Sequence, residues 1–320
     1  MKPANPDPPS PRAVVSEYLQ EEPRARLAEH LDVRYDPDLY ADRPRLFEAL
    51  EGAEAILVRN RTRIDAELLA RAPHLRVVGR LGVGLDNIDL DACESAGVRV
   101  FPAYGANAVS VAEYVFGALL ALVRPVFDMT PSMVAGQWPR QGIAFGRELM
   151  GMTLGLVGYG AISRHVASRA AAFEMRVLAH DPFVDPDDPA WGPARPTDLV
   201  PLLRESDVVS MHVPLTEATR SLIDADTLVE MKPGAVLINT SRGGTVDEAA
   251  VADALRSGAL GGAALDVFAS EPLGPEAGSV FEGLDRLILT PHVAGNTEES
   301  VARVARVTVD SVLAALQEDE

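Results

Sequence analysis

Thr153-Leu154-Gly155-Leu156-Val157-Gly158-Tyr159-Gly160-Ala161-Ile162-Ser163 is the stretch on which the reading of the fold turns. Its first five residues form a short apolar run, the pattern of a strand buried on both faces of a parallel sheet. Two glycines interrupt the run, and helical spacing follows them. In that context a glycine turn cradles the pyrophosphate of a dinucleotide. Gly158 permits the tight bend, Gly160 lets the backbone approach the phosphates, and the helix N-terminus attracts their charge. Ser163 stands at the third small position of the fingerprint, where glycine is usual, and is small enough for close helix–strand packing. Asp181 comes just after the next predicted strand. An acidic side chain there accepts hydrogen bonds from ribose hydroxyls and repels a 2′-phosphate, so the pattern favours NAD over NADP.

Outward from this stretch the same alternation continues. Apolar runs at 176–179, 207–211, 235–238, 262–265 and 287–289 are each followed by a helical segment, which predicts a parallel sheet covered on both faces. On the N-terminal side, runs at 13–15, 33–35, 55–58, 75–78 and 98–100 alternate with helical stretches such as 65–72, which predicts a second α/β layer. Ser110, with Glu113 three residues on, reads as a capping box that opens a helix through Val123, the crossing from one layer to the other. A last helical pattern over 297–316 returns to the first layer and makes it discontinuous. The expected class is α/β with two doubly wound domains. Residues 109–291 form one, and 1–108 plus 292–320 form the other, with a floppy tail over 1–12.

Composition agrees with two ordinary cores. A chain of 320 residues exceeds the size at which single cores usually stop growing, and 47% hydrophobic with 24% charged residues is typical of soluble domains. The net charge of −18, from 29 basic and 47 acidic residues, repels nucleic acids and anionic membranes. Lys2 and Lys232 are the only lysines, so nearly every cation is an arginine. The single cysteine, Cys93, excludes an internal disulfide and fits a cytoplasmic location. His30, His74, His165, His180 and His212 show no metal-ligand spacing, so no metal is expected. The apolar run 109–123 is too short to span a bilayer, which takes about 20 residues, and the tail lacks the apolar centre of a signal peptide. A small-molecule partner is expected.

Three later segments carry charge just beyond predicted strands, the sheet edge where open α/β folds bind ligands. They are Asn239-Thr240-Ser241-Arg242-Gly243-Gly244-Thr245-Val246-Asp247-Glu248, Leu265-Asp266-Val267-Phe268-Ala269-Ser270-Glu271-Pro272, and Thr290-Pro291-His292-Val293-Ala294-Gly295. Singly, Arg242 reads equally as a capping arginine, Glu271 as a loop carboxylate and His292 as a turn histidine. Together, and in order with the glycine turn and with Val77-Val78-Gly79-Arg80-Leu81-Gly82-Val83-Gly84-Leu85-Asp86-Asn87-Ile88-Asp89, they resemble the D-2-hydroxyacid dehydrogenase family, which includes 3-phosphoglycerate dehydrogenases. The similarity runs from about residue 55 to about residue 297.

The resemblance implies a Rossmann-type NAD-binding domain and a flavodoxin-like substrate domain with the cleft between them, and a catalytic set of Arg242, Glu271 and His292. The chemistry asks for such residues. Oxidation of a 2-hydroxy acid moves a hydride to the nicotinamide and a proton to a base that works near neutral pH, which a histidine does. A carboxylate on the other ring nitrogen fixes its tautomer. An arginine offers a planar fork for the substrate carboxylate that lysine lacks. The same resemblance implies cofactor contacts from Gly158, Tyr159, Gly160, Ala161, Ile162, Asp181, His212, Val213, Pro214, Thr240, Ser241, Asp266, His292 and Gly295. It implies substrate contacts from Arg59, Arg80, Gly82, Val83, Asn107 and Arg242. Family members often form homodimers through the NAD-binding domain, and the helix over 110–123 is the expected apolar surface for this.

Arg59, Arg61 and Arg80 concentrate positive charge in an acidic chain beside the expected carboxylate site, which suggests a second anionic group on the substrate. The Arg59-Asn60-Arg61-Thr62 and Arg80–Asn87 runs look most like those of sulfolactate dehydrogenases and less closely like those of phosphoglycerate dehydrogenases. The substrate order is then 3-sulfolactate, 3-phosphoglycerate, and a simple acid such as glyoxylate or hydroxypyruvate. A different class, an NAD-sensing binding protein without turnover, is the alternative that a complete catalytic set argues against.

Overall fold

The structure, a computed structural model, describes residues 12–126, 129–141 and 145–318. The chain divides into two units, one running to Asn107 and resuming at Thr297, the other spanning Ala108–Asn296.

The first unit holds five parallel strands: β1 (Arg12–Val15), β2 (Asp32–Tyr35), β3 (Ala53–Val58), β4 (Val77–Arg80) and β5 (Arg99–Pro102). Their order is β2-β1-β3-β4-β5, the flavodoxin arrangement, with its switch point between β1 and β3. Strand β3 shows why the sequence lacks polar alternation. Ile56 and Val58 enter a core on one face with Leu46, Leu68 and Cys93, while Ala55 and Leu57 enter a second core on the other with Leu27, Val309 and Val312. The C-terminal helix Glu298–Gln317 covers that second face. The Thr297 side chain caps it by accepting from the Ser300 amide, and the helix lies so close to β4 that any side chain at Gly79 would strike Val312 and Thr308. Cys93 is 1% exposed, and burial, with help from the Asp89 carboxylate, pushes its thiol up to about 11.

The second unit holds seven parallel strands: β6 (Thr153–Val157), β7 (Arg176–His180), β8 (Ala194–Pro196), β9 (Val208–Met211), β10 (Ala235–Asn239), β11 (Leu260–Leu265) and β12 (Leu287–Leu289). The order β12-β11-β10-β9-β6-β7-β8 is the Rossmann arrangement with one strand added beyond the sixth, and its switch point lies between β6 and β9.

The structure corrects the sequence reading in several places. Strand β8 has no apolar run. It is three residues of sheet edge, Ala-Arg-Pro, paired to β7 alone, and its proline is tolerated because an edge need not donate on both sides. The helix Ala108–Val123 starts two residues before Ser110, which is buried within its first turn. Glu113 pairs instead with Arg169 at 3.1 Å, so no capping box forms. Val115, Phe116, Leu119, Leu122 and Val123 of this helix are spent on the unit's own core, leaving little of the apolar surface expected for a partner. The second boundary falls after Asn296 rather than before His292, because the amides of 292–294 are bound to Asp266 of the second unit. Arg12 belongs to β1, and the rest of the expected tail, 1–11, lies outside the described residues.

Candidate active site

The dinucleotide turn sits at the second unit's switch point. Gly158 has φ of 88°, a left-handed conformation, and a side chain there would meet the His212 carbonyl oxygen at 2.6 Å. Gly160 caps the helix Ala161–Ala172, yet a Cβ on it would meet no atom within 4 Å. Its lack of a side chain serves nothing in the protein's own packing and leaves room for a ligand. Ser163, wholly buried, donates to the Gly158 carbonyl at 2.6 Å, so it ties the turn to the helix where a glycine would only have fitted. Asp181 accepts from the amides of Tyr159 at 2.8 Å and Phe183 at 3.0 Å. Tyr159 contributes its backbone alone, since its ring stacks on Trp191 and its hydroxyl donates to the Trp191 carbonyl at 2.5 Å. Ala161 is exposed and Ile162 packs against the core. Across the switch point, burial drives the His212 imidazole down to about 3 and keeps it neutral. Its Nε2 bonds Ser210 Oγ at 2.9 Å, while Nδ1 has no hydrogen-bond partner. Val213 packs into the core below, and the Pro214 carbonyl accepts from Thr219.

Arg242, Asp266, Glu271 and His292 gather at the carboxyl ends of the adjacent strands β10, β11 and β12. The turn carrying Arg242 is organised by Asn239. Its Oδ1 accepts from Ser241 N and Oγ at 3.0 and 2.8 Å, and its Nδ2 donates to the Arg242 carbonyl at 3.1 Å. The Arg242 guanidinium donates to the Ser241 carbonyl at 2.6 Å. At Gly243 any side chain would overlap the Phe268 carbonyl, so this glycine is what lets the Arg242 turn lie against the segment carrying Glu271. Glu271 accepts from Phe268 N at 3.0 Å through Oε1 and faces His292 Nδ1 at 2.8 Å through Oε2. Both side chains are open to solvent, at 50% for His292 and 37% for Glu271.

His292 itself has φ of 55°, a left-handed backbone that is uncommon outside glycine and that its surroundings hold in place. Asp266 does the holding. Its carbonyl accepts the His292 amide at 2.8 Å, and its carboxylate accepts Val293 N at 2.8 Å, Ala294 N at 2.9 Å and Thr290 Oγ1 at 2.6 Å. Tyr114 Oη closes the network on Thr290 at 2.6 Å. Every hydrogen bond of this carboxylate goes to the His292 turn, which also carries Gly295. Thr240 Oγ1 is buried at the end of β10 with no hydrogen-bond partner.

The other sequence-predicted residues belong to the first unit. Arg59 follows β3, is partly buried, and its guanidinium makes no hydrogen bond or ion pair among the described residues. Arg61 is held by Tyr40, through a hydrogen bond at 2.5 Å and the ring face at 4.8 Å. Arg80, 9% exposed, turns back on its own loop, donating to the carbonyls of Leu81 at 2.7 Å and Gly84 at 2.8 Å. It lies against Gly82 with the guanidinium where a side chain would go. Arg80 thus braces the turn of Gly82 and Val83. Asn107 is the last residue of this segment, partly buried.

Two residues of the first unit escaped the sequence reading. Glu17, 3% exposed at the end of β1, accepts from the amides of Arg59 at 2.8 Å, Arg61 at 3.2 Å and Thr62 at 3.0 Å. Asn87 donates to the carbonyls of Arg59 at 3.0 Å and Thr62 at 2.6 Å. For Glu17 the only signal available was an acid two residues beyond an apolar strand. Among the described residues no cluster of His, Cys, Asp or Glu could hold a metal ion, and no helix is long and apolar enough to cross a membrane.

Residues 116–294 match the family described as D-isomer specific 2-hydroxyacid dehydrogenase, NAD binding domain. The chain belongs to the D-2-hydroxyacid dehydrogenase family. The dehydrogenase is 53% identical to the (S)-sulfolactate dehydrogenase of Chromohalobacter salexigens, over 95% of this chain and 97% of that protein. It is 40% identical to the D-3-phosphoglycerate dehydrogenase of Mycobacterium leprae, over 96% of this chain but 57% of that longer protein. Its fold matches the D-lactate dehydrogenase of Aquifex aeolicus, solved with NAD and lactic acid, with a TM-score of 0.82, 32% identity and 96% of each chain covered. The dehydrogenase is an NAD-dependent oxidoreductase. Its second unit fits that cofactor. Gly160 faces open space, Asp181 lies just beyond β7 beside the glycine turn, and Thr240 Oγ1 and His212 Nδ1 are buried polar atoms that lack protein partners.

Proposed function

We propose that the dehydrogenase acts on a dianionic 2-hydroxy acid, with 3-sulfolactate the first candidate and 3-phosphoglycerate the second. The observation that carries the proposal is Arg59, a partly buried guanidinium with no ion pair or hydrogen bond among the described residues, on a loop whose backbone is fixed by Glu17 and Asn87. A cation carried on a fixed backbone and left uncompensated in a chain of charge −18 matches a second anionic group on a ligand. The 53% identity to an (S)-sulfolactate dehydrogenase supports the same substrate. The labels agree on handedness: a sulfonate on C3 makes that carbon outrank the carboxylate, so the spatial arrangement called D in lactate is called S in sulfolactate.

In this reading Arg242 holds the C1 carboxylate and Glu271 keeps the proton of neutral His292 on Nδ1, so that Nε2 presents its lone pair to the C2 hydroxyl. Bound NAD supplies the hydride acceptor. His292 takes the hydroxyl proton at Nε2 as C2 becomes a carbonyl, and the Glu271 carboxylate stabilises the imidazolium that results. In the opposite direction the protonated ring returns the proton. Asp181 selects NAD by repelling a 2′-phosphate, and Val83 offers its amide to the acid from the turn that Gly82 shapes, the Gly82 amide itself donating to the Arg80 carbonyl at 2.7 Å.

The test is a screen of absorbance at 340 nm with sulfolactate, phosphoglycerate, glycerate and lactate. NAD-dependent turnover of sulfolactate is expected, and activity confined to monoanionic acids would overturn the proposal. The dehydrogenase is further proposed to be cytoplasmic and homodimeric. Its NAD-binding unit exposes Met133, Val134, Trp138, Phe145 and Met150 at 43% to 101%, within one stretch of chain after the helix Ala108–Val123. A second copy would cover such a patch. Sedimentation at micromolar concentration should show a dimer that Trp138→Glu weakens, and a monomer at all concentrations would remove it.

A further inference from the structure

Glu248 is a partly buried acid that the mechanism above does not use. It opens the helix Glu248–Ser257, whose first-turn amides are already served by the cap residue Asp247, accepting from Ala249 and Ala250 at 3.0 and 3.1 Å. The Glu248 carboxylate is therefore not needed by its own helix. It reaches outward and accepts the Ala269 amide at 2.5 Å. The preceding amide, Phe268, donates to Glu271, and the Phe268 carbonyl is the group pressed against Gly243. The segment that carries Glu271 is thus gripped at both ends of the Arg242 turn, by the bare backbone of Gly243 before the turn closes and by Glu248 after it.

The grip is made by an unfavourable choice of group. Burial raises the pKa of Glu248, and the carboxylates of Asp247 on its own helix and Glu271 on the facing segment raise it further, against the lowering effect of the Ala269 amide. What the carboxylate gains in this place is the Ala269 amide that it accepts.

We infer that Glu248 is a positioning residue that holds Ala269 and thereby fixes Glu271 against His292. The inference rests on the roles given above to Glu271 and His292. Without the hydrogen bond, the Phe268–Glu271 segment is released at one end, and Glu271 meets Nδ1 of His292 for a smaller fraction of the time. The proton then populates either ring nitrogen, and a ring with Nε2 protonated cannot accept from the substrate. The cofactor turn at 158–163 is untouched.

The action through an acceptor oxygen at a set reach, rather than through charge, makes it testable with two conservative variants. Glu248→Gln keeps the reach and a carbonyl acceptor but loses the charge. Glu248→Asp keeps the charge but is one methylene too short for Ala269. The expected order of kcat is wild type, then Glu248→Gln within about threefold, then Glu248→Asp lower by roughly tenfold, as displacement of a catalytic group costs. NADH binding, read by nucleotide fluorescence, and the KM for NAD stay within about twofold in both, since neither touches the phosphate-binding turn. The reverse order, with Glu248→Asp the better enzyme, would show that the charge is what matters and would overturn the inference, as would equal kcat in all three. His292→Asn, assayed beside them, separates the layers of argument. If it abolishes turnover while both Glu248 variants are wild-type, the inference alone fails; if His292→Asn is fully active, the reading beneath it fails.

Discussion

The two units are built on the same principle and use their switch points in opposite ways. At the β1/β3 edge the amides that would bind an anion are taken by the protein's own acid: Glu17 occupies those of Arg59, Arg61 and Thr62, and Ser16 Oγ lies 2.8 Å from Thr62 Oγ1. What this edge presents to a ligand is side chains, Arg59 above all. At the β6/β9 edge nothing fills the space over Gly160, and Thr240 and His212 keep buried polar atoms without protein partners. The crevice at a switch point is thus a property of the fold, and one buried carboxylate converts it from a binding site into a rigid mount.

On the proposed function, chemistry falls to the second unit and selection to the first, and substitutions can break that division. The largest effect is expected from His292→Asn, with kcat reduced roughly 10²- to 10⁴-fold, the usual worth of a positioned acid or base. Asparagine tolerates the left-handed backbone at this position, so NADH binding and the melting temperature should be preserved. Turnover at the wild-type rate would mean that the second unit does not hold the proton acceptor. Next is Arg59→Ala. A hydrogen bond to a charged group contributes about 1.5–3 kcal/mol, so kcat/KM for sulfolactate should fall roughly 10- to 150-fold while that for lactate changes little. Equal losses on both acids would take selection away from the first unit.

Smaller effects sharpen the contrast. Gly160→Ala adds a methyl group that meets no protein atom, so the fold is unaffected and the dissociation constant of NADH should rise about tenfold as the methyl crowds the pyrophosphate. Unchanged NADH affinity would mean that the open space is not where the phosphates lie. Glu17→Gln replaces one acceptor oxygen with a donor facing the amides of 59–62. It should lower stability by about 1–3 kcal/mol with kcat kept near wild type, read by denaturant titration beside kinetics. A large loss of kcat at unchanged stability would give Glu17 a chemical part and dissolve the distinction.

What could be read from the sequence was whatever depends on neighbours along the chain. β3 and β6 were legible because a strand buried on both faces has no polar alternation, and Ser163 because its spacing from Gly158 placed it in the fingerprint. The segments of Arg242, Glu271 and His292 were legible as a motif order, and the structure adds the hydrogen bond between Glu271 and His292. β8 was illegible because its existence depends on β7, with no run of its own. Glu17, Asn87 and Glu248 were illegible for a related reason: each serves main-chain groups that are 20 or more residues away in sequence, and an acid beside a strand end looks the same whether it faces water or three amides. Arg80 shows the converse. Its charge reads as a ligand for an anion, but the guanidinium satisfies carbonyls one and four residues ahead, a local closure that composition does not reveal.

Cys93 is the sole thiol of the sequence, and burial holds it in the protonated form that does not attack electrophiles. Maleimide dyes and methanethiosulfonate spin labels should therefore pass over the wild-type chain. Any cysteine introduced on the surface becomes the one addressable position, so fluorescence and spin-resonance reporters can be installed in either unit without first preparing a cysteine-free background.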